Sequence, residues 1–189
     1  MALNRAACER RAYRLATLLT GDPIRRAVGV LEAVERSQPD LRAIESVRLD
    51  RLTILRSREV TAGPLPAEAL PADAASALAD LAAQPREAWM LIRAYGLPLR
   101  ETARAMDCSA TATRRHIELA DRRMAATLDG QGVAGAIEAL RAYSKSLRLP
   151  DHYVVNRERR RRNGRIRTLT IMVLVVILLM AVIEWVSRA

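Results

Sequence analysis

Residues 97–128 read LPLRETARAMDCSATATRRHIELADRRMAATL. The stretch parses as a short helix over 98–106, a tight turn at Asp107-Cys108-Ser109 and a longer helix over 110–128. Pro98 suits a first helical turn, where its missing N–H is no loss. Ser109 suits the N-cap of the second helix. Two helices that cross through a three-residue turn need small residues where their backbones approach, and Ala103 and Ala105 supply them. In the second helix Thr113, Ile117, Ala120 and Met124 recur at helical spacing, which predicts one face turned to a core.

The opposite face of that helix carries Thr111, Arg114, Arg115, Glu118 and Arg122. A helix that reads DNA inserts its N-terminal residues into the major groove. Ser109 and Thr111 can meet phosphate beside the free N–H groups of a helix start. Arg114 and Arg115 can reach phosphates or guanine edges. Residues 109–123 hold four Arg against Glu118 and Asp121, while residues 61–107 hold four Arg against six acids, so the local excess lies on the proposed reading helix. An ordinary helical hairpin with a solvated arginine face is the plainer alternative.

The net charge of +10 is unevenly spread over the 189 residues. Residues 1–60 hold 12 Arg against 8 acids, residues 61–130 hold 8 Arg against 9 acids, and residues 131–189 hold 11 basic against 4 acidic residues. The largest share of the excess therefore flanks the C-terminal tail and is not itself a nucleic-acid signature. Seven arginines fall within 157–167, and the uncharged run 168–183 follows. As a helix that run spans roughly 24 Å, and with Glu184, Trp185 and Val186 it nears the roughly 20 residues a bilayer needs. We expect a membrane span over 168–186, marked by Leu169, Val176, Ile183 and, at the interface, Trp185. Basic flanks stay cytoplasmic. The expected location is thus the cell inner membrane, single-pass, with the N-terminal body in the cytoplasm. The arginines of 157–167 are expected to meet anionic lipid headgroups.

Ahead of the hairpin, helices are expected over 3–19, 24–36 and 41–58, the last with Leu41, Ile44, Val47, Leu52 and Leu55 on its apolar face. The stretch VTAGPLPAEALP reads as a linker. A helix follows and is expected to end before Gln84-Pro85, then another over 86–95 stopped by Gly96, and after the hairpin a last one over 132–149. That last helix is free to pack on the body or on a membrane. The fold class is therefore all-α, with two small helical domains, the second a helix-turn-helix, and one C-terminal transmembrane helix. The expected divisions are a first domain over 1–59, a linker over 60–71, a helix-turn-helix domain over 72–128, a helical spacer over 129–156, a basic juxtamembrane segment over 157–167 and the span over 168–186. Cys8 and Cys108 are far apart and form neither a disulfide framework nor a zinc motif. MALNRAACERRAYRL shows no signal-peptide pattern. Without a Gly-rich phosphate loop, paired carboxylates or a metal-ligand cluster, no enzyme, cofactor or metal is expected.

The order of these pieces resembles sigma-70-type factors of bacterial RNA polymerase, particularly the small extracytoplasmic-function class. DLAAQPREAWMLIRAYGLPLRETARAMDCSATATRRHIELADRRM looks like the family's fourth region. The resemblance implies promoter contacts through Ser109, Thr111, Arg114, Arg115 and His116, to which the exposed face of the helix adds Arg122 as a DNA-binding candidate. It also implies a role in transcription initiation, recruitment of core RNA polymerase, and control by an anti-sigma or signalling partner. Thr102 and Thr113 depart from it, standing where the family places branched aliphatics; a hydroxyl there can bond a carbonyl one turn back. RRAYRLATLLTGDP and AIESVRLDRLTILRSRE resemble parts of the second region. Between them the family carries an acidic, aromatic-containing stretch that docks on polymerase and helps melt DNA, whereas this chain has IRRAVGVLEAVERSQ. Two alternatives stand beside an initiator: a DNA-binding regulator without initiator activity, and a membrane-anchored protein-interaction module.

Overall fold

A computed structural model describes residues 4–41, 44–155, 158 and 172–173. The protein is all-α, with no strand among the described residues. The helices are α1 (Arg5–Thr20), α2 (Arg26–Ser37), α3 (Ser46–Arg58), α4 (Ala72–Ala79), α5 (Ala83–Trp89) running on into a π-turn (Met90–Ala94), α6 (Leu99–Met106), α7 (Ala110–Thr127) and α8 (Gly130–Ser146). Two compact units divide the chain, 1–148 and 149–189. In the second, residues 151–155 are helical. The expected span over 168–186 lies outside the described residues except for Met172 and Val173, so Leu169, Val176, Ile183 and Trp185 lie outside them too. Among the described residues no helix is long and apolar enough to cross a membrane.

The first unit is organised around α1, which packs on α2, α3 and α8. Ala12, Leu15, Ala16 and Leu18 are wholly or almost wholly buried on it. Each large aliphatic group so buried contributes about 2 kcal/mol. Asn4 caps α1 by accepting the Ala7 N–H at 2.8 Å, and Gly21 ends it in the left-handed region at φ 73. Glycine is required there twice over. A Cβ on Gly21 would press on the carbonyl oxygens of Gly63 and Pro64, because the 60–71 stretch crosses at this point and Gly63 donates its N–H to the Thr20 carbonyl at 2.9 Å. Ala69 and Leu70 anchor the far end of that stretch in the core.

Charged pairs join the helices. Arg5 bonds Glu9 and reaches Glu35 on α2, both at 2.8 Å. Arg11 makes a two-pronged bond to Asp50 on α3, at 2.8 and 2.6 Å. Burial pushes the Asp50 carboxyl up, and the Arg11 guanidinium opposes that shift. Arg58 at the end of α3 grips Glu87 on α5 in the same forked way.

Three local readings differ from the expectation. The face of α3 is rotated: Leu49, Asp50, Thr53, Ile54 and Ser57 point inward, while Leu55 is 39% exposed and Leu52 half-buried. Polar groups can occupy that inner face because Arg11 pairs Asp50, and Thr53 and Ser57 donate their hydroxyls to the carbonyls of Leu49 and Thr53. Leu41 and Ile44 are buried as expected, but from the segment before the helix. α4 ends before Gln84-Pro85 as expected, but the pair does not separate the helices; it sits in the first turn of α5, where the N–H that proline lacks would have no intrahelical partner. Beyond Trp89 the helix widens, with the Tyr95 N–H bonding the Met90 carbonyl at 2.8 Å. Gly96, at φ 81, then reverses the chain.

The helix expected over 132–149 is α8, and it packs on the body. Arg14 of α1 donates to the carbonyls of Lys145 and Leu147, and Arg141 donates to the Arg93 carbonyl.

Candidate nucleic-acid interface

The turn between α6 and α7 is built by three residues. Asp107 ends α6 at φ 61 and ψ 41, a left-handed conformation that Asp and Asn tolerate better than most residues. That turn lets the Cys108 N–H reach back to the Ala103 carbonyl at 2.9 Å. Ser109 then caps α7, its Oγ accepting the Ala112 N–H at 3.1 Å. Ala103 and Ala105 are buried, as close helix approach demands.

α7 has the two faces its pattern predicts. Thr113, Ile117, Ala120 and Met124 are its buried residues. Buried Thr102 and Thr113 each satisfy their hydroxyl one turn back, on the carbonyls of Pro98 and Ser109, at 3.1 and 3.0 Å. Ser109, Thr111, Arg114, Arg115 and Arg122 are exposed, and His116 is half-buried. The Arg114 and Arg115 side chains make no hydrogen bond or ion pair among the described residues. Arg122 differs: its Nε donates to the Glu118 carbonyl at 3.2 Å, which lays it along its own helix. The Ser109 oxygen is engaged as a cap, so its O–H is what remains to donate to an anion.

Pattern reading missed the device that sets the angle of α7. Trp89, wholly buried on α5, donates its indole N–H to Asp121 at 3.1 Å, and Arg93 of the π-turn binds both carboxylate oxygens. A lone Asp among arginines, 32 residues from the tryptophan, carries no local signal of this contact. It also changes the charge of the helix. Asp121 is matched by Arg93 from outside residues 109–123, so the four arginines of that segment are left facing Glu118 as their unmatched acid.

No protein-family model matches this chain, and comparison with curated proteins and with solved structures gave no match either.

Proposed function

We propose that the chain is a membrane-tethered, sigma-like transcription factor that binds promoter DNA through α7. The observation that carries this reading is the exposed, unpaired pair Arg114 and Arg115, one turn beyond a serine-capped helix start whose other face is locked into the core. The free N–H groups of that start favour phosphate, and the two guanidiniums reach further to backbone or base edges. The arginine-flanked apolar run 157–186 supports a tether at the cytoplasmic membrane face. Core polymerase would be recruited through residues 1–58.

The test is fluorescence anisotropy of the full-length chain in detergent against a DNA pool, over a range of salt. Selective binding that falls about tenfold in Arg114→Ala/Arg115→Ala supports the reading, while binding indifferent to that change removes it. A steep salt slope without selectivity would leave only phosphate contacts.

A second reading, a DNA-binding regulator without initiator activity, is favoured by α2. Its apolar residues Ala27, Val28, Val30, Leu31 and Val34 are buried, and its segment offers no aromatic side chain on which an unpaired base could stack. Run-off transcription with core polymerase separates the two. A transcript supports the initiator, and DNA binding without a transcript supports the regulator. No DNA binding at all would favour the membrane-anchored protein-interaction module.

A further inference from the structure

A cleft of about 630 Å³ opens between α1, the residues that close the π-turn, and α8. Five cations line it, Arg10, Arg11, Arg14, Arg141 and Lys145, and no carboxylate does among the described lining residues. Like charges gathered around a concavity repel one another, so what holds them in place is informative. Arg11 is fixed by Asp50 and lies over the Tyr95 ring at 5.5 Å from its centre. Arg14 is fixed by the carbonyls of Lys145 and Leu147, and Arg141 by the carbonyl of Arg93. A neutral carbonyl orients a guanidinium without cancelling its charge. The Arg10 and Lys145 side chains are exposed and have no partner among the described residues. Asp50 pairs with Arg11, and Glu101 also acts on that guanidinium, which leaves Arg10, Arg14, Arg141 and Lys145 without a carboxylate partner among the described residues.

We propose that this cleft binds the polyphosphate group of a small soluble ligand, of the class of a nucleoside di- or triphosphate. Four cations call for more charge than the one to two that a single phosphate group carries near neutral pH. Guanidiniums match phosphate oxygens in pairs, and two of the arginines here are pre-oriented by backbone, which reduces the ordering cost of binding. The volume lies within the range of small-molecule sites. It is a recess rather than a ridge, which suits a compact ligand better than a duplex. The site stands on α1 and α8 and does not depend on α7, so it is independent of the DNA-binding proposal.

The experiment is isothermal titration of the full-length chain in detergent with inorganic pyrophosphate and with ATP. One saturable site is expected for each, weakening as salt rises. The double change Arg10→Ala/Lys145→Ala should weaken pyrophosphate binding about tenfold or more and leave the melting temperature in place, since neither side chain has a partner to lose. Arg36→Ala/Arg100→Ala removes two exposed charges elsewhere and should leave binding as it was. Absence of a saturable site overturns the proposal, as does equal loss in both double variants. So does a cleft that responds to Arg10→Ala/Lys145→Ala only with short-chain phosphatidylglycerol or only with duplex DNA. DNA binding is read through Arg114 and Arg115, so the two proposals fail separately.

Discussion

Trp89 donates its indole N–H to Asp121, and that single bond joins the largest wholly buried side chain of α5 to the middle of α7. Arg93 holds the same carboxylate from the π-turn. With both oxygens engaged, α7 is fixed against rolling about its axis, which sets where Arg114 and Arg115 face. Trp89→Phe keeps most of the buried volume and removes the donor. It should cost about 1–2 kcal/mol, the range for a hydrogen bond to a charged group that is partly solvated. Asp121→Asn keeps the shape and weakens mainly the pair with Arg93, whose side chains are 42% and 35% exposed; it should cost no more than about 1 kcal/mol. Urea unfolding of the two variants ranks them. A larger loss in Asp121→Asn would show that the ion pair, not the indole, carries the clamp.

Asp107 is the one non-glycine residue with positive φ among the described residues. Its ion pair with Arg51, at 3.1 Å, is between side chains 64% and 49% exposed and so adds little. The backbone conformation should therefore dominate substitutions here. Asp107→Gly is expected to match or slightly exceed the parent in stability, and Asp107→Val to lose about 1–2 kcal/mol. Thermal melts compare them directly. A destabilised glycine variant would mean that the Arg51 contact matters more than the strain.

The hairpin was legible in the sequence because its signals are local. Ser109 caps three residues ahead, and the stripe Thr113, Ile117, Ala120 and Met124 repeats on one helix without help from elsewhere. The face of α3 was not, because its orientation depends on partners far away in the chain. Asp50 lies inward only because Arg11 meets it from α1, and Thr53 and Ser57 only because their hydroxyls close on their own helix. Hydrophobicity alone therefore selects Leu52 and Leu55, which the structure leaves half-buried and exposed. The π-turn at Met90–Ala94 and the site for Arg14 on α8 are long-range in the same sense. Pro85 misleads for a different reason: proline breaks a helix interior and is accepted in a first turn, and the start of α5 has no strong capping residue to mark which applies.

Thr113 is wholly buried and donates its hydroxyl to the Ser109 carbonyl, which also accepts the Thr113 backbone N–H at 2.9 Å. Replacing the hydroxyl by a methyl group thus leaves that carbonyl satisfied and strands no donor. Thr113→Val should be neutral or stabilising by up to about 1 kcal/mol, because a buried polar group is exchanged for an apolar one of nearly equal shape. Thr113→Ala leaves a void instead and should cost about 1–2 kcal/mol. Urea midpoints of the pair test this. A valine variant as weak as the alanine one would show that the hydroxyl bond is worth more than the burial.

Two tyrosines set an alkaline limit on stability. Burial, the largest cause for each, pushes the phenols of Tyr95 and Tyr143 from 10.0 up to about 12; at Tyr95 the nearby charges of Arg11 and Arg14 pull the other way without prevailing. The unfolded chain then loses these protons before the folded one does. Their contribution is fully present below about pH 10 and is lost as pH rises toward 12, at about 1.4 kcal/mol per pH unit for each phenol while the two states differ by a whole proton. Tyr143 isolates the effect, because its buried O–H has no hydrogen-bond partner among the described residues. Tyr143→Phe should be neutral or stabilising at pH 7 and should lose less stability than the parent between pH 10 and 12. Urea midpoints at pH 7, 10 and 11 measure both effects, and parallel curves for the two proteins would mean that Tyr143 ionises as readily folded as unfolded.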